Sequence, residues 1–266
     1  MSNTNPFTEA HAIARLDFAL IFQNNLSDEQ RAQLALELQK HLDQFERLVE
    51  NDGSEDEEPV IAFERKGEVD EVTEAVHIHG NYVHVVWSDY RGWAFSRDGA
   101  INYLRPVLRW IRDERLVLTM VGLAYRDVFF NDKPETYDTG EVLKIGSSYV
   151  APKVFSSGKK WRHWLAWSDS NLGGASFRTQ STLRIEADLL SVGEDEATIH
   201  CTEIAHRQSV RWGHAAALMN PSDDDLRNAW DCAHRANHAL IQELITDDML
   251  ERIGLKEGSD ECSLLQ

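Results

Sequence analysis

The segment that most constrains the fold is residues 73–88, which has the pattern of an antiparallel β-hairpin. Gly80 and Asn81 favour a two-residue turn, and residues that alternate between polar and apolar flank them on both sides. Because successive side chains of a strand point to opposite faces, the apolar residues should share one face and pack in the core. These residues are Val76, Ile78, Val83, Val85 and Trp87.

The other face of this hairpin gathers three histidines. With this turn, His77 lies opposite His84, and His79 lies opposite Tyr82. Paired residues are about 4.5–5.5 Å apart at Cβ, so the three imidazoles could hold a transition metal such as zinc or form a pH-sensitive contact surface. The alternative is a polar outer face without a ligand, since the sequence identifies no fourth donor. A register slip of one residue would scatter the cluster.

The remaining pattern predicts an α+β fold with two similar halves, each an antiparallel sheet with helices packed on one face. The first half spans residues 1–113 and the second spans 114–255, whether as one domain or two. Residues 256–266 form an acidic tail that we expect to be disordered. We expect strands near residues 12–23, 59–65, 71–79, 82–88, 115–130, 148–155, 161–168, 175–190 and 195–211.

The first helix should begin at a capping box formed by Ser27 and Gln30, which satisfies two backbone donors at the helix start. Apolar residues at helical spacing extend this helix to an expected end near residues 51–53. The apolar stripe consists of Leu34, Leu38, Leu42, Phe45 and Val49.

Two more helices are predicted. One spans residues 97–113, where Pro106 should kink the helix or delay its start. The last should begin at Ser222, with Asp225 three residues later in the capping position. Its inward stripe consists of Leu226, Trp230, Ala233, Asn237, Leu240 and Leu244.

A basic and aromatic patch interrupts an otherwise acidic chain. Trp161, Trp164 and Trp167 are spaced three apart, with Lys160 and Arg162 among the basic residues around them. Such a patch could stack bases or bind a peptide. On a strand, however, Trp161 and Trp167 share one face and Trp164 points to the other, which also fits tryptophans that serve packing.

The chain carries 27 basic and 45 acidic residues, for a net charge of −18. A field of that sign repels nucleic-acid phosphates and anionic lipids, so both are disfavoured as partners. The charge would suit a protein that imitates DNA, although solubility alone also explains it. No apolar stretch approaches the roughly 20 residues that cross a bilayer.

The cysteines and the N-terminus point to the cytoplasm. Cys201, Cys232 and Cys262 contain no C-x-x-C pair, so we expect no cysteine-based zinc site, and a reducing compartment suits them. Residues 1–8 lack the basic start and apolar core of a secretory signal.

No catalytic residue is predicted. The chain has no G-x-S-x-G elbow and no signature of a cysteine nucleophile. His234 and His238 are four residues apart on the last helix, but the sequence H-R-A-N-H lacks the glutamate of a metalloprotease motif. His200 and His206 are about 20 Å apart along one strand, too far to share an ion.

Several stretches resemble a sporadically distributed, uncharacterised family of bacterial proteins of similar length. The strand that ends at Phe22 is similar to the family's opening, and F-S-R-D-G at 95–99 resembles its strand-to-helix turn. M-V-G-L-A-Y-R-D at 120–127 resembles a strand of the type R-x-G-L-R-Y-x-N. The end of the last helix, 233–246, resembles the family's ending.

Three residues of that strand depart from the family pattern. Met120 and Ala124 replace basic residues, and Asp127 replaces asparagine. The family has no established activity, so the resemblance implies no reaction. Its patchy distribution suggests an association with mobile elements or with conflict between bacteria and phage.

We therefore expect a non-catalytic binding or accessory protein, in phage defence or counter-defence, whose partner is another protein and which could form homo-oligomers. Its expected binding residues are Tyr82, Lys160, Trp161, Arg162 and Trp164. One alternative is a metal-dependent, hydrolase-like enzyme that uses His77, His79 and His84. A second is an acidic DNA mimic that inhibits a DNA-binding protein.

Overall fold

The computed structural model describes residues 4–8, 11–50, 60–170, 177–192, 197–212 and 221–255. In these ranges ten antiparallel strands form one sheet, and helices accompany it, so the predicted α+β class with a large antiparallel sheet is confirmed. The strands are β1 (Thr4–Pro6), β2 (Ile13–Phe22), β3 (Glu46–Glu50), β4 (Val60–Lys66), β5 (Val72–Ile78), β6 (Tyr82–Trp87), β7 (Leu118–Asn131), β8 (Trp161–Asp169), β9 (Phe177–Val192) and β10 (Ala197–Trp212).

The longer helices are α1 (Asp28–Gln39), α2 (Trp93–Asp113), α3 (Asp223–Leu244) and α4 (Asp247–Arg252). Three short 3-10 helices span Pro134–Thr136, Thr139–Glu141 and Pro152–Ser156. Within the described residues, no helix combines the length and the apolar character that crossing a membrane requires. The predicted acidic tail, 256–266, lies outside the described residues.

The sheet runs in the order β3-β4-β5-β6-β2-β7-β10-β9-β8, and β1 pairs with the end of β7. Strands from both sides of the predicted boundary at residue 113 pair at its centre, because β2 lies beside β7. The expected two sheets therefore form one. Outward from that centre the order is β6, β5, β4, β3 on one side and β10, β9, β8 on the other. On each side the last strand of the half lies next to the central strand, β2 or β7.

The helices pack against one face of the sheet, called here the core face. One apolar cluster joins the core-face residues of β2, β5, β6 and β7 to α1, α2 and the start of α3. A second cluster joins β8, β9 and β10 to the end of α3 and α4. All five apolar residues predicted on the inward face of the hairpin are buried in the first cluster. Indole Nε1 of Trp230 donates to the carbonyl of Gly122 at 3.0 Å, which ties α3 to the sheet centre.

The predicted hairpin and both capping boxes are confirmed. His79 N–H donates to the Tyr82 carbonyl at 2.9 Å, which closes the two-residue turn. The side chains of Ser27 and Ser222 each accept from the backbone three residues later, and the side chain at that position caps in return. Local sequence therefore fixes the turn and the two helix starts.

The predicted end of the first helix is wrong. Helix α1 ends at Gln39, and residues 46–50 form strand β3 paired with β4. Apolar residues such as Leu42, Phe45 and Val49 have helical spacing, but pairing with a sheet edge competes for the same segment. As a result, Val49 is 61% exposed rather than inward.

Two other boundaries differ. The expected strand at 148–155 is absent, and a 3-10 helix begins there at Pro152, whose missing N–H suits a helix start better than a sheet ladder. Helix α2 begins at Trp93, four residues before the predicted start. Pro106 lies buried inside the helix, so it does not delay the start.

Candidate metal centre

The hairpin places His77, His79 and His84 together on the face opposite the helices, called here the open face. His77 on β5 pairs directly with His84 on β6, as the turn predicted. His79 follows β5 at the turn, and its ring stacks on Tyr82 with centroids 4.0 Å apart. The interplanar angle is 12°, so the tyrosine supports the ring of His79 along its whole face.

The three imidazoles contact one another. Nε2 of His84 lies 2.9 Å from Nδ1 of His77, a hydrogen-bond distance. The ring of His79 lies 6.2 Å from that of His77 and 5.0 Å from that of His84, between centroids. One ring nitrogen from each histidine lies within 4.8 Å of the other two. Nε2 of His79 is buried and has no hydrogen-bond partner among the described residues.

Their surroundings keep the imidazoles of His79 and His84 neutral. Burial, and to a smaller extent the nearby His77, His79, Arg15 and Arg207, together lower the pKa of His84 to about 2. Burial and His77 likewise lower the pKa of His79 to about 4. Neutral imidazole is the form that binds a metal, because protonation occupies the ligand lone pair.

These distances suit a transition metal. With Zn–N bonds of about 2.0–2.1 Å, two ligands of a tetrahedral zinc lie about 3.3 Å apart. The observed separations between ring nitrogens, from 2.9 Å to at most 4.8 Å, bracket that value. Three protein ligands leave at least one position for water or another ligand, as in catalytic zinc sites.

A cavity of about 250 Å³ adjoins the histidines on the open face. His84 and Tyr82 line one side, and Ala19 on β2 and Gly122 on β7 lie in register with His84. The side chain of Arg15 also lines this cavity and is held by Asp17 at 2.7 Å. This carboxylate offsets one positive charge close to the three histidines.

A wider depression, of about 670 Å³, continues the open face over β7, β10, β9 and β8. Trp164 stands in it with 66% of its surface exposed. Two carboxylates link the surrounding arginines. Glu203 contacts Arg126 at 2.6 Å and Arg184 at 3.2 Å, and Glu186 contacts Arg162 at 3.2 Å.

The predicted basic and aromatic patch divides between the two faces. Trp164 and Arg162 point to the open face, as strand alternation requires. Trp161 is only 9% exposed and packs in the second apolar cluster, so it does not belong to the surface patch. The side chain of Lys160 is bound by Asp188 at 2.8 Å. Trp167 also packs against the second cluster, which confirms the alternation.

Three of the other histidines named from sequence, His200, His206 and His234, lie on the core-face side and have separate partners, whereas Nε2 of His238 is buried without a hydrogen-bond partner among the described residues. Nδ1 of His206 lies 2.7 Å from the Asn237 amide oxygen, and Nδ1 of His234 lies 2.7 Å from the Tyr125 hydroxyl. His200 contacts the Lys159 carbonyl at 2.8 Å. His206 and His200 therefore contact different elements of the protein, on the same face of β10.

Sequence reasoning missed Arg15 and Arg207, which line the cavity beside the histidines. Alternation along β10 was a usable signal, because Arg207, Ser209 and Arg211 all fall on the open side. Their position next to the hairpin depends on β2, β7 and β10 lying side by side, which local sequence does not specify.

Comparisons with known proteins identify no family. No family model matches the chain, and no curated protein matches it. Among solved structures, the di-domain ARO/CYC StfQ from the steffimycin biosynthetic pathway is 13% identical. The alignment covers 85% of this chain and 95% of that one, with a TM-score of 0.16, too low to indicate a shared fold.

Proposed function

We propose that this protein binds a transition metal, zinc first among them, through His77, His79 and His84, and that the open face around the metal binds a ligand. The convergence of one nitrogen from each histidine within 4.8 Å carries the proposal. The buried, unpartnered Nε2 of His79 supports it, because a buried polar atom without a hydrogen bond is costly unless something else binds it.

Elemental analysis of protein purified without a histidine tag tests the proposal. We expect about one zinc per chain and a melting temperature that falls when a chelator removes it. The variant His84→Ala should lose both effects. His41→Ala is the matched control, because that side chain is 42% exposed and lies beyond the end of α1, with its Nε2 at 3.6 Å from Glu37.

A result without bound metal would contradict the proposal if zinc added to the purified protein also left the melting temperature unchanged. Equal zinc retention by wild type and His84→Ala would contradict it as well, because the metal would then be held elsewhere. Retention by His41→Ala together with loss in His84→Ala is the pattern that supports the site.

A second candidate is metal-independent binding of a partner protein on the same face. The exposed Trp164 favours it, since an aromatic side chain surrounded by arginines is a common anchor in protein interfaces. Trp164→Ala should weaken capture of the partner from a host lysate. The matched control is Phe95→Ala, which removes an aromatic residue with 50% exposure on α2.

Fewer observations support the remaining hypotheses. A role in phage defence depends on the resemblance alone and stays a prediction. On β2 and β7 to β10, the open face carries the arginines Arg15, Arg126, Arg162, Arg178, Arg184, Arg207 and Arg211, and the carboxylates Asp17, Glu186, Asp188 and Glu203. A DNA mimic would need more carboxylates than arginines on its binding surface. We further propose that the two halves share a common strand arrangement. On each side of the centre the strands follow in reverse sequence order, which supports the proposal, and the first half has one more strand, β3.

A further inference from the structure

Arg207 occupies a central place on the open face that the proposed metal site alone does not explain. It lies on β10 directly opposite Ala124 of β7, and it is exposed. It borders both the cavity beside the histidines and the wider depression that contains Trp164. A guanidinium at this position can reach a ligand bound next to His84.

Arg207 forms no ion pair with a carboxylate of the described residues, although Asp17, which is paired with Arg15, lines the same cavity. By contrast, Arg15, Arg126 and Arg184 each contact a carboxylate within 3.2 Å. The chain has 45 acidic residues, so carboxylates are abundant, yet none of those described pairs with this guanidinium. An arginine left without a carboxylate at the edge of a concave site is suited to binding an anion from solution.

The floor of the cavity leaves room for such an anion. It is formed by residues with small side chains, including Ala19, Gly122 and Ser209. A Cβ atom at position 122 would lie 3.1 Å from the Cβ of Ala19, closer than ordinary contact. The glycine therefore keeps the floor low, and Ser209 adds a hydroxyl that can donate a hydrogen bond.

We propose that this cavity binds the phosphoryl group of a ligand, with Arg207 as its principal donor and the metal at the three histidines as the second positive centre. This inference rests on the proposed metal site. A phosphate monoester carries close to two negative charges, which a guanidinium fork and a metal ion on opposite sides can balance. A planar carboxylate carries one negative charge, which either the guanidinium or the metal ion alone can balance.

Titration calorimetry with zinc-loaded protein and inorganic phosphate tests the inference, with acetate as the comparison anion. We expect phosphate to bind and acetate to bind much more weakly. Arg207→Gln should weaken phosphate binding roughly 10-fold to 100-fold, the loss expected for a hydrogen bond to a charged group. The zinc content of that variant should equal that of wild type.

Arg211→Gln is the matched control, because this exposed arginine lies on the same strand and face and, among the described residues, also forms no ion pair. An equal loss in Arg207→Gln and Arg211→Gln would overturn the inference, since only the general field of the face would then matter. Acetate binding as tight as phosphate binding would overturn the phosphoryl assignment.

The two proposals fail in different ways. Zinc-loaded protein that binds no phosphate contradicts the phosphoryl site and leaves the metal site intact. Protein that binds no zinc contradicts the metal site. If that same protein still binds phosphate in a manner that depends on Arg207, the anion site stands without a metal.

Discussion

His77, His79 and His84 lie on the open face and contact one another, whereas His206 and His234 lie on the core face and each contacts a different polar partner. The first group is partly buried and the second is buried, and burial lowers the pKa of His79, His206 and His234 alike to about 4. Shielding and a lowered pKa therefore do not distinguish a ligand from a structural residue.

The partners make the distinction. His234 is held between Trp93, whose ring stacks on it at 4.0 Å, and the hydroxyl of Tyr125, so its hydrogen bond is made within the protein. His79 is also stacked on an aromatic ring, but its buried Nε2 has no hydrogen-bond partner among the described residues. Nε2 of His206 is also buried and unpartnered, so an unpartnered nitrogen alone does not identify a ligand. What sets His79 apart is that one of its ring nitrogens lies within 4.8 Å of ring nitrogens of two other histidines.

The largest expected effect is on metal affinity. His79→Ala should lower zinc affinity by at least about 100-fold, because even the loss of a group that only orients a ligand costs about 10-fold to 100-fold. His234→Ala should leave zinc affinity unchanged, since its ring lies on the core face. Competition titration against a chromophoric chelator measures both. Equal zinc affinities of His79→Ala and His234→Ala would contradict the assignment of His79 as a metal ligand.

The second expected effect is on the free energy of unfolding. Here the core-face variant should lose more than the open-face variant. His206→Ala should cost about 2 kcal/mol, because it leaves a cavity and an unpaired amide at Asn237. His79→Ala, measured without metal, should cost less than about 1 kcal/mol, since no protein hydrogen bond to its Nε2 is lost. Urea unfolding in the presence of a chelator gives both free energies. A larger loss of unfolding free energy in His79→Ala than in His206→Ala would contradict the assignment of His79 as a ligand and of His206 as a structural residue.

The hairpin was predictable because its geometry is local. A two-residue turn fixes the register, and the register fixes which side chains face outward together. The cavity beside it was not predictable, because Arg207 and His84 are far apart in sequence and meet only through the order of β6, β2, β7 and β10.

The predicted end of the first helix failed for a different reason. Leu42 and Phe45 fit helical spacing, but the same residues also suit the turn and strand that follow α1. Spacing alone cannot decide between them when the segment can pair with a sheet edge such as β4.

The pH dependence of the free energy of unfolding provides a further test of the buried residues on the core face. The pKa of His206 is about 4 in the folded chain and about 6.5 when unfolded, so between these values only the unfolded chain binds the proton. The contribution of His206 to the free energy of unfolding has its full value above about pH 6.5. As the pH falls from there towards about 4, this contribution decreases by about 1.4 kcal/mol per pH unit. Buried Asp127, whose pKa is raised to about 7, acts in the opposite direction.

His206→Gln should therefore flatten the slope of unfolding free energy against pH by about 1.4 kcal/mol per unit between about pH 4.5 and 6. The contribution of Asp127 is common to both proteins and cancels in the difference. Chemical unfolding at a series of pH values measures the slopes. Parallel curves for wild type and variant would show that His206 keeps its ordinary pKa in the fold.

The smallest expected effect concerns the hydroxyl of Tyr125. Tyr125→Phe removes the hydrogen bond to Nδ1 of His234 while it keeps the ring, so we expect a loss of about 1 kcal/mol. In the variant His234→Phe, the same substitution should cost less, because the partner nitrogen is already absent. A double-mutant cycle in urea measures this coupling. A coupling of zero would mean that the stacking of His234 on Trp93, and not its hydrogen bond, assigns this histidine to the core.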